Sequence, residues 1–311
     1  YSKIRRATVR RGHTVLNRRR AVPEKGPREK GKDPGPMSEL MLPGVPAWIF
    51  WLFCALAVLI QGISKSGFAG GAGILSLPLM MLVMPVNRVA PALLPILILC
   101  DMNALYHHWQ NKVWRLVWIL FVPSLLGTLV ATWLWFQVGN DGMNAYAMAI
   151  KRVTGMIAVV FALYILAREA SMRWVADRKL GTVAGILCGI AAGFTSTLAH
   201  AAGPIVGLYL FSQGMGKALF VGTTAWVFTF INLSKVPFYQ AAGLFDWSLF
   251  WFDLALVPCI PVGSWLGKVM HDRVSETLFN RIIMVLTLLA GVQLVFNVNL
   301  VLGLLKLLAR W

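Results

Sequence analysis

Residues 117–136, 153–167, 181–199 and 282–305 contain no charged side chain. An α-helix needs roughly 20 apolar residues to cross the hydrocarbon core of a bilayer, and several of these runs reach that length. Lipid offers the backbone no hydrogen-bond partner, so each spanning segment must satisfy its own N–H and C=O groups, which confines such a chain to helices. The composition agrees, at 58% hydrophobic and 13% charged residues, far from soluble globular usage. The expected fold class is all-α integral membrane. About ten hydrophobic segments are expected, at 47–64, 73–86, 89–107, 116–137, 146–167, 181–199, 203–214, 217–241, 247–268 and 277–297.

Two of these segments, the second and the seventh, are too short to span comfortably, and each follows a glycine- and alanine-rich interruption. The first interruption lies in GISKSGFAGGAGILSLPL, residues 62–79, and the second in GIAAGFTSTLAHAAGPIVGL, residues 189–208. From the Gly-Phe pair to the proline the spacing is 78 − 67 = 11 in one and 204 − 193 = 11 in the other. Further matches follow in order: Asn103 with Asn232, Pro123 with Pro258, and Arg152 with Arg281. Five segments per copy is an odd number, so two copies are expected as inverted repeats, with broken or re-entrant helices near the bilayer midplane. Interrupted segments at matching positions of two halves point to a transporter's substrate site.

Charge is unevenly placed. Of the net +17, residues 1–36 supply 12 Lys/Arg against 3 acids, without apolar periodicity, and read as a disordered basic tail. That tail is expected to be upstream sequence, the working molecule starting at Met37. Residues 37–168 are then the first transmembrane repeat, 169–180 a basic cytoplasmic loop, 181–297 the second repeat, and 298–311 an amphipathic or interfacial end. Lys112, Arg115, Arg168, Arg173, Arg178, Lys179, Lys217, Lys268 and Arg273 fall on one side if the segments alternate, and that side is expected to be cytoplasmic. A charge so distributed does not describe a nucleic-acid binder.

Ionisable side chains inside apolar segments are rare and usually face a cavity. Five stand out: Lys65, Asp101, His200, Lys235 and Asp253. Lys65 precedes the first break and Lys235 follows Asn232, so a two-fold arrangement would bring two cations into one polar cavity. Backbone amides at the start of a half-helix, around Gly71 to Gly73 and Ala202 to Gly203, would add positive dipole ends. Ser66, Thr197, Asn103 and Asn232 offer donors to an oxyanion. Together these define an anion site of Lys65, Ser66, Gly71, Asn103, Thr197, His200, Asn232 and Lys235, with His200, Asp101 and Asp253 the candidates for proton coupling. Each has a plainer reading: a lysine can snorkel to the interface, a hydroxyl can bond back to its own helix, and Asp101 can simply neutralise Lys65.

Cys54, Cys100, Cys188 and Cys259 sit in apolar segments with no paired spacing, so neither a disulfide framework nor a zinc site is expected. The glycine-rich stretch lacks the strand, turn and helix setting of a phosphate loop, and there is no HExxH or GxSxG. No cofactor and no metal is expected. A gated anion channel, and an intramembrane enzyme built on His200 and a neighbouring hydroxyl, stand as alternatives to a carrier.

GISKSGFAGGAGILSLPLMMLVMP with Asp101 downstream, then AGFTSTLAHAAGPIVGLYL and FINLSKVPFY, resemble the two signatures of the sulfite exporter TauE/SafE family over nearly all of residues 47–297. The resemblance implies a multi-pass protein of the bacterial inner membrane that exports sulfite or an organosulfonate such as sulfoacetate. It places Lys65, Ser66, Thr197, His200, Asn232 and Lys235 at motif positions. The expected partners are a small anionic substrate, membrane lipid and a second copy of the chain; nucleic acid is not among them.

Overall fold

A computed structural model describes residues 38–67, 71–145, 147–176, 179–273 and 276–298. The expected tail at 1–36 lies outside them, as does all but the first residue of the expected end segment 298–311. Among the described residues every regular element is helical: α1 (Ala47–Gly67), α2 (Ser76–Met81), α3 (Val86–His108), α4 (Trp114–Ala145), α5 (Ala147–Ala176), α6 (Thr182–Ala199), α7 (Gly203–Ser212), α8 (Lys217–Ala241), α9 (Trp247–Leu256), α10 (Cys259–Arg273) and α11 (Glu276–Phe296), with short 3-10 turns at Ser38–Leu40 and Gly71–Leu75. Six stretches of the described residues are long and apolar enough to cross a membrane, α9 and α10 counting as one between Trp247 and Met270. The surface is apolar: Trp133, Val160, Leu187, Trp265 and Leu289 stand exposed, while Gln61, Ser64, Asp101, Asn232 and Lys235 are buried. A protein immersed in hydrocarbon distributes its side chains this way.

Each expected hydrophobic segment carries a helix, with two departures. The segment at 247–268 is divided at Val257 and Pro258, because proline has no N–H to donate and its ring collides with the carbonyl four residues back. The stretch expected as a basic loop at 169–180 is mostly helix, since α5 continues to Ala176. Arg168, Glu169, Ala170, Met172 and Arg173 are good helix formers, and leaving the bilayer does not oblige a helix to stop.

Tight helix pairs organise the bundle. α4 packs along α6, α1 along α10, α5 along α11, and α3 along α8. Glycines permit the closest of these approaches. Gly185, Gly189 and Gly193 recur every four residues on α6, and an added Cβ at Gly189 or Gly193 would collide with the α4 carbonyls of Leu120 and Ser124. Gly62 against Gly263, and Gly155 against Gly291, do the same for α1–α10 and α5–α11. Backbones brought this close gain dispersion contacts where lipid supplies no hydrophobic drive for helix association.

Outside the membrane, Lys112 lies over the rings of Trp109, Trp114 and Trp226 at 5.4, 5.6 and 5.9 Å, a cation held among interfacial aromatics. At the start of α9, Asp246 is the N-cap: its carboxylate accepts the Leu249 N–H at 3.0 Å, the Ser248 hydroxyl and the Arg88 guanidinium. Burial raises its pKa, but the Ser248 and Leu249 hydrogen bonds and Arg88 outweigh that and hold the carboxyl below its ordinary value. A depressed carboxyl adds stability above its unfolded-state pKa and loses it as pH falls through the folded value. Asp246→Ala is therefore expected to cost about 1 kcal/mol at neutral pH. The gap from the native protein should narrow on acidification through the carboxylate range, as read by thermal unfolding in detergent.

Candidate functional site

The two interruptions take different forms. α1 stops at Gly67, and the chain re-enters as a 3-10 turn at Gly71–Leu75 before α2. Two α1 side chains pin this turn: the Gln61 amide donates to the Gly73 carbonyl at 2.9 Å, and the Gly73 N–H donates to the Ser64 hydroxyl at 2.9 Å. One of the amides expected to be free is thus engaged. The second interruption is tighter. α6 runs on to Ala199 and closes with His200 in the left-handed conformation, φ 48°. The His200 N–H returns to the Ser196 carbonyl, the single bond of a left-handed helix cap, and the Ala201 N–H reaches back to the Thr195 carbonyl. Glycine usually fills such a position; a side chain there costs on the order of 1 kcal/mol, and here the imidazole makes two further bonds.

Both interruptions face one cavity of about 30 Å³, room for roughly two waters. The first contributes Gly73 and Ile74, the second His200, Ala202, Gly203 and Pro204, with Gln61, Lys65, Leu97, Ser196, Phe228 and Asn232 completing the wall. α7 begins at this cavity, its N-cap residue Ala202 making no side-chain capping bond. A second, smaller hollow of about 10 Å³ shares Lys65 and Phe228 with the first and reaches Asp101 and Thr224.

Lys65 does not snorkel. Its side chain is 9% exposed, and its ammonium donates to Asp101 and to the Leu97 carbonyl at 3.2 Å, lying 5.6 Å from the centre of the Phe228 ring. The second Asp101 oxygen accepts from the Asn232 amide at 2.7 Å, so one buried carboxylate ties α1, α3 and α8 together. Lys235 is fully buried. Its ammonium meets the Ser196 carbonyl at 3.3 Å, the Ser196 hydroxyl at 3.0 Å and His200 Nδ1 at 3.1 Å. The other imidazole nitrogen, Nε2, lies 2.9 Å from the Ala90 carbonyl. A carbonyl only accepts, so Nε2 carries a hydrogen, and Nδ1 is left as the acceptor for Lys235.

Of the residues expected at an anion site, Lys65, His200 and Asn232 line the cavity. Lys235 stands one layer behind, bonded to the wall residues Ser196 and His200. The others have different surroundings. The Ser66 hydroxyl donates to the Gly62 carbonyl in its own helix and to that of Ser264 in α10. Asn103 donates to the Ser264 hydroxyl. The Thr197 hydroxyl bonds back to Gly193 at 2.9 Å, and its carbonyl accepts from Tyr239 at 3.0 Å. Gly71 opens the 3-10 turn, and it is Gly73 that reaches the cavity. Asp101 does not line the main cavity but pairs with Lys65, which does. Asp253, buried on α9, is not part of the wall, and its Oδ1 has no hydrogen-bond partner among the described residues. Gln61 and Phe228 were not anticipated. Gln61 had a legible signal, a polar side chain four residues before Lys65 on the same helix face; Phe228 had none among so many apolar neighbours.

Helices that cross a membrane, interrupted around a cavity lined by buried charge, define a multi-pass membrane protein of the transporter class. The family model described as Sulfite exporter TauE/SafE matches residues 54–294, and the chain belongs to that family, whose members are transporters of the anion-exporter type. The chain matches none of the curated proteins and none of the solved structures.

Proposed function

We propose that this protein is a secondary carrier that exports a small oxyanion, sulfite or an organosulfonate such as sulfoacetate, across the bacterial inner membrane by alternating access. The observation that carries this reading is the convergence of both chain interruptions on one cavity beside two buried lysines. In a low-dielectric setting such a group of donors favours an anion, and the uncapped first turn of α7 adds partial positive charge. The packing supports an inverted repeat: exchanging the halves turns the α1–α10 pair into α6–α4 and leaves α3–α8 and α5–α11 as self-related pairs. An interior-negative potential drives an anion outward by about 2.3 kcal/mol per charge per 100 mV, so export proceeds without a nucleotide-hydrolysing partner. A proton route, if coupled, runs through His200, which sits between the cavity and Lys235.

The test is uptake of labelled sulfite and sulfoacetate into liposomes by the native protein, Lys65→Ala and Lys235→Ala. Saturable uptake by the native protein is expected, with a loss of about tenfold or more in Lys235→Ala. Unchanged uptake in both variants rejects the site. Rates far above those of carriers, without saturation, would identify a channel instead.

A further inference from the structure

The walls of this cavity hold a countable charge. Lys65 and Asp101 form an ion pair and sum to zero. Three acceptors surround the Lys235 nitrogen, matching the three hydrogens of an ammonium. Only one hydrogen fits on the line between Lys235 Nζ and His200 Nδ1, since two protonated nitrogens would oppose N–H to N–H. With Lys235 as the ammonium that these three acceptors fit, the pair carries one positive charge, whichever nitrogen holds that proton. The other groups nearby do not change the sum. From α3, Cys100 contributes a thiol, uncharged at neutral pH. Among the described residues, α6, α7 and the Gly71–Leu75 turn present no acid to the cavity, α8 lines it with Phe228 and Asn232 and adds a charge only through Lys235 behind the wall, and Asp253 of α9 is not in the wall. On that count the described residues give the site a single positive charge with no further counter-ion.

We infer that the cavity selects anions of single charge: hydrogensulfite over sulfite, and a monosulfonate over a dianion such as sulfate or sulfoacetate. A monoanion brings the occupied cavity to neutrality. A dianion leaves one negative charge uncompensated among apolar walls, which is expensive in a low-dielectric interior. The inference rests on the oxyanion-carrier reading above and narrows its substrate class.

Binding to the full-length protein in detergent, followed by calorimetric titration, tests it with three probes: methanesulfonate, singly charged throughout; sulfate, doubly charged throughout; and sulfite, one pH unit below and one above its second ionisation. Methanesulfonate is expected to bind about tenfold or more tightly than sulfate at both pH values. Sulfite affinity should fall about tenfold between the two, following the hydrogensulfite fraction, while that of methanesulfonate holds steady. Sulfate binding as well as methanesulfonate, or sulfite binding more tightly at the higher pH, overturns the charge count and leaves the carrier reading standing. Binding of none of the three overturns both. Lys235→Met gives a second check, because exchanging a buried charge for an apolar chain of similar length is commonly neutral or stabilising. It is expected to keep the fold and lose about tenfold or more in methanesulfonate affinity; unchanged affinity in that variant overturns the inference.

Discussion

Lys65→Ala is expected to be among the most damaging single substitutions in this protein, and the damage should come through Asp101. In the native chain the carboxylate is fully buried, with Lys65 on one oxygen and Asn232 on the other. Removing the ammonium leaves a charge that neither water nor a counter-ion reaches. Breaking a buried pair in this way costs about 3–5 kcal/mol, against a total stability of about 5–15 kcal/mol for a typical protein. Adding Asp101→Asn removes the orphaned charge, so Lys65→Ala/Asp101→Asn should recover most of the lost thermal stability. Tryptophan fluorescence during heating in detergent measures both. Native-like stability of Lys65→Ala alone would show that water reaches the pair. The double variant also improves the transport experiment, since it removes the cation without the collapse that would otherwise mimic loss of function.

Gly193→Ala should destabilise where intrinsic helix propensity says it ought to help. In a helix with room for a methyl group, alanine is better than glycine by roughly 0.5–1 kcal/mol. At Gly193 the added carbon would overlap the Ser124 carbonyl across the α4–α6 contact, and backbone, unlike the tip of a long side chain, has little freedom to move aside. Overpacking of that kind costs about 1–3 kcal/mol, so steric overlap decides the sign. Gly207, on α7, is the control: nothing lies within 4 Å of an added Cβ there. Gly207→Ala should leave stability unchanged or raise it, and thermal unfolding of the two variants side by side should move in opposite directions. A stabilised Gly193→Ala would mean that α4 and α6 are further apart than described.

The two variants probe different layers of what the chain encodes. The α4–α6 seam could be suspected from sequence, because glycines at 185, 189 and 193 repeat every four residues and so share one helix face. Its partner could not, since nothing local to α6 names α4. Lys65 and Lys235 likewise stood out as costly residues in apolar runs, but whether they reached the interface or a cavity depended on helices distant in sequence. Lys65 finds Asp101 on α3 and Lys235 finds Ser196 and His200 at the end of α6. Ser66, Asn103 and Thr197 have the same hydrogen-bonding capacity as residues on the cavity wall. They make their bonds within their own helices or between helices, and only the rotation of each helix about its axis decides that.

The helical, membrane-embedded character of the protein, the positions of nearly all its helices and the two places where they break are determined by the sequence alone. Each depends on a property that accumulates along the chain: transfer of contiguous apolar residues into lipid, and loss of regular backbone at glycine and proline. Packing decided the rest, namely the neutralising of Lys65 by Asp101, the retreat of Lys235 behind His200, and the entry of Gln61 and Phe228 into the wall. Those outcomes depend on the direction in which each side chain points and on what another helix sets opposite it, and a linear pattern of hydropathy carries neither.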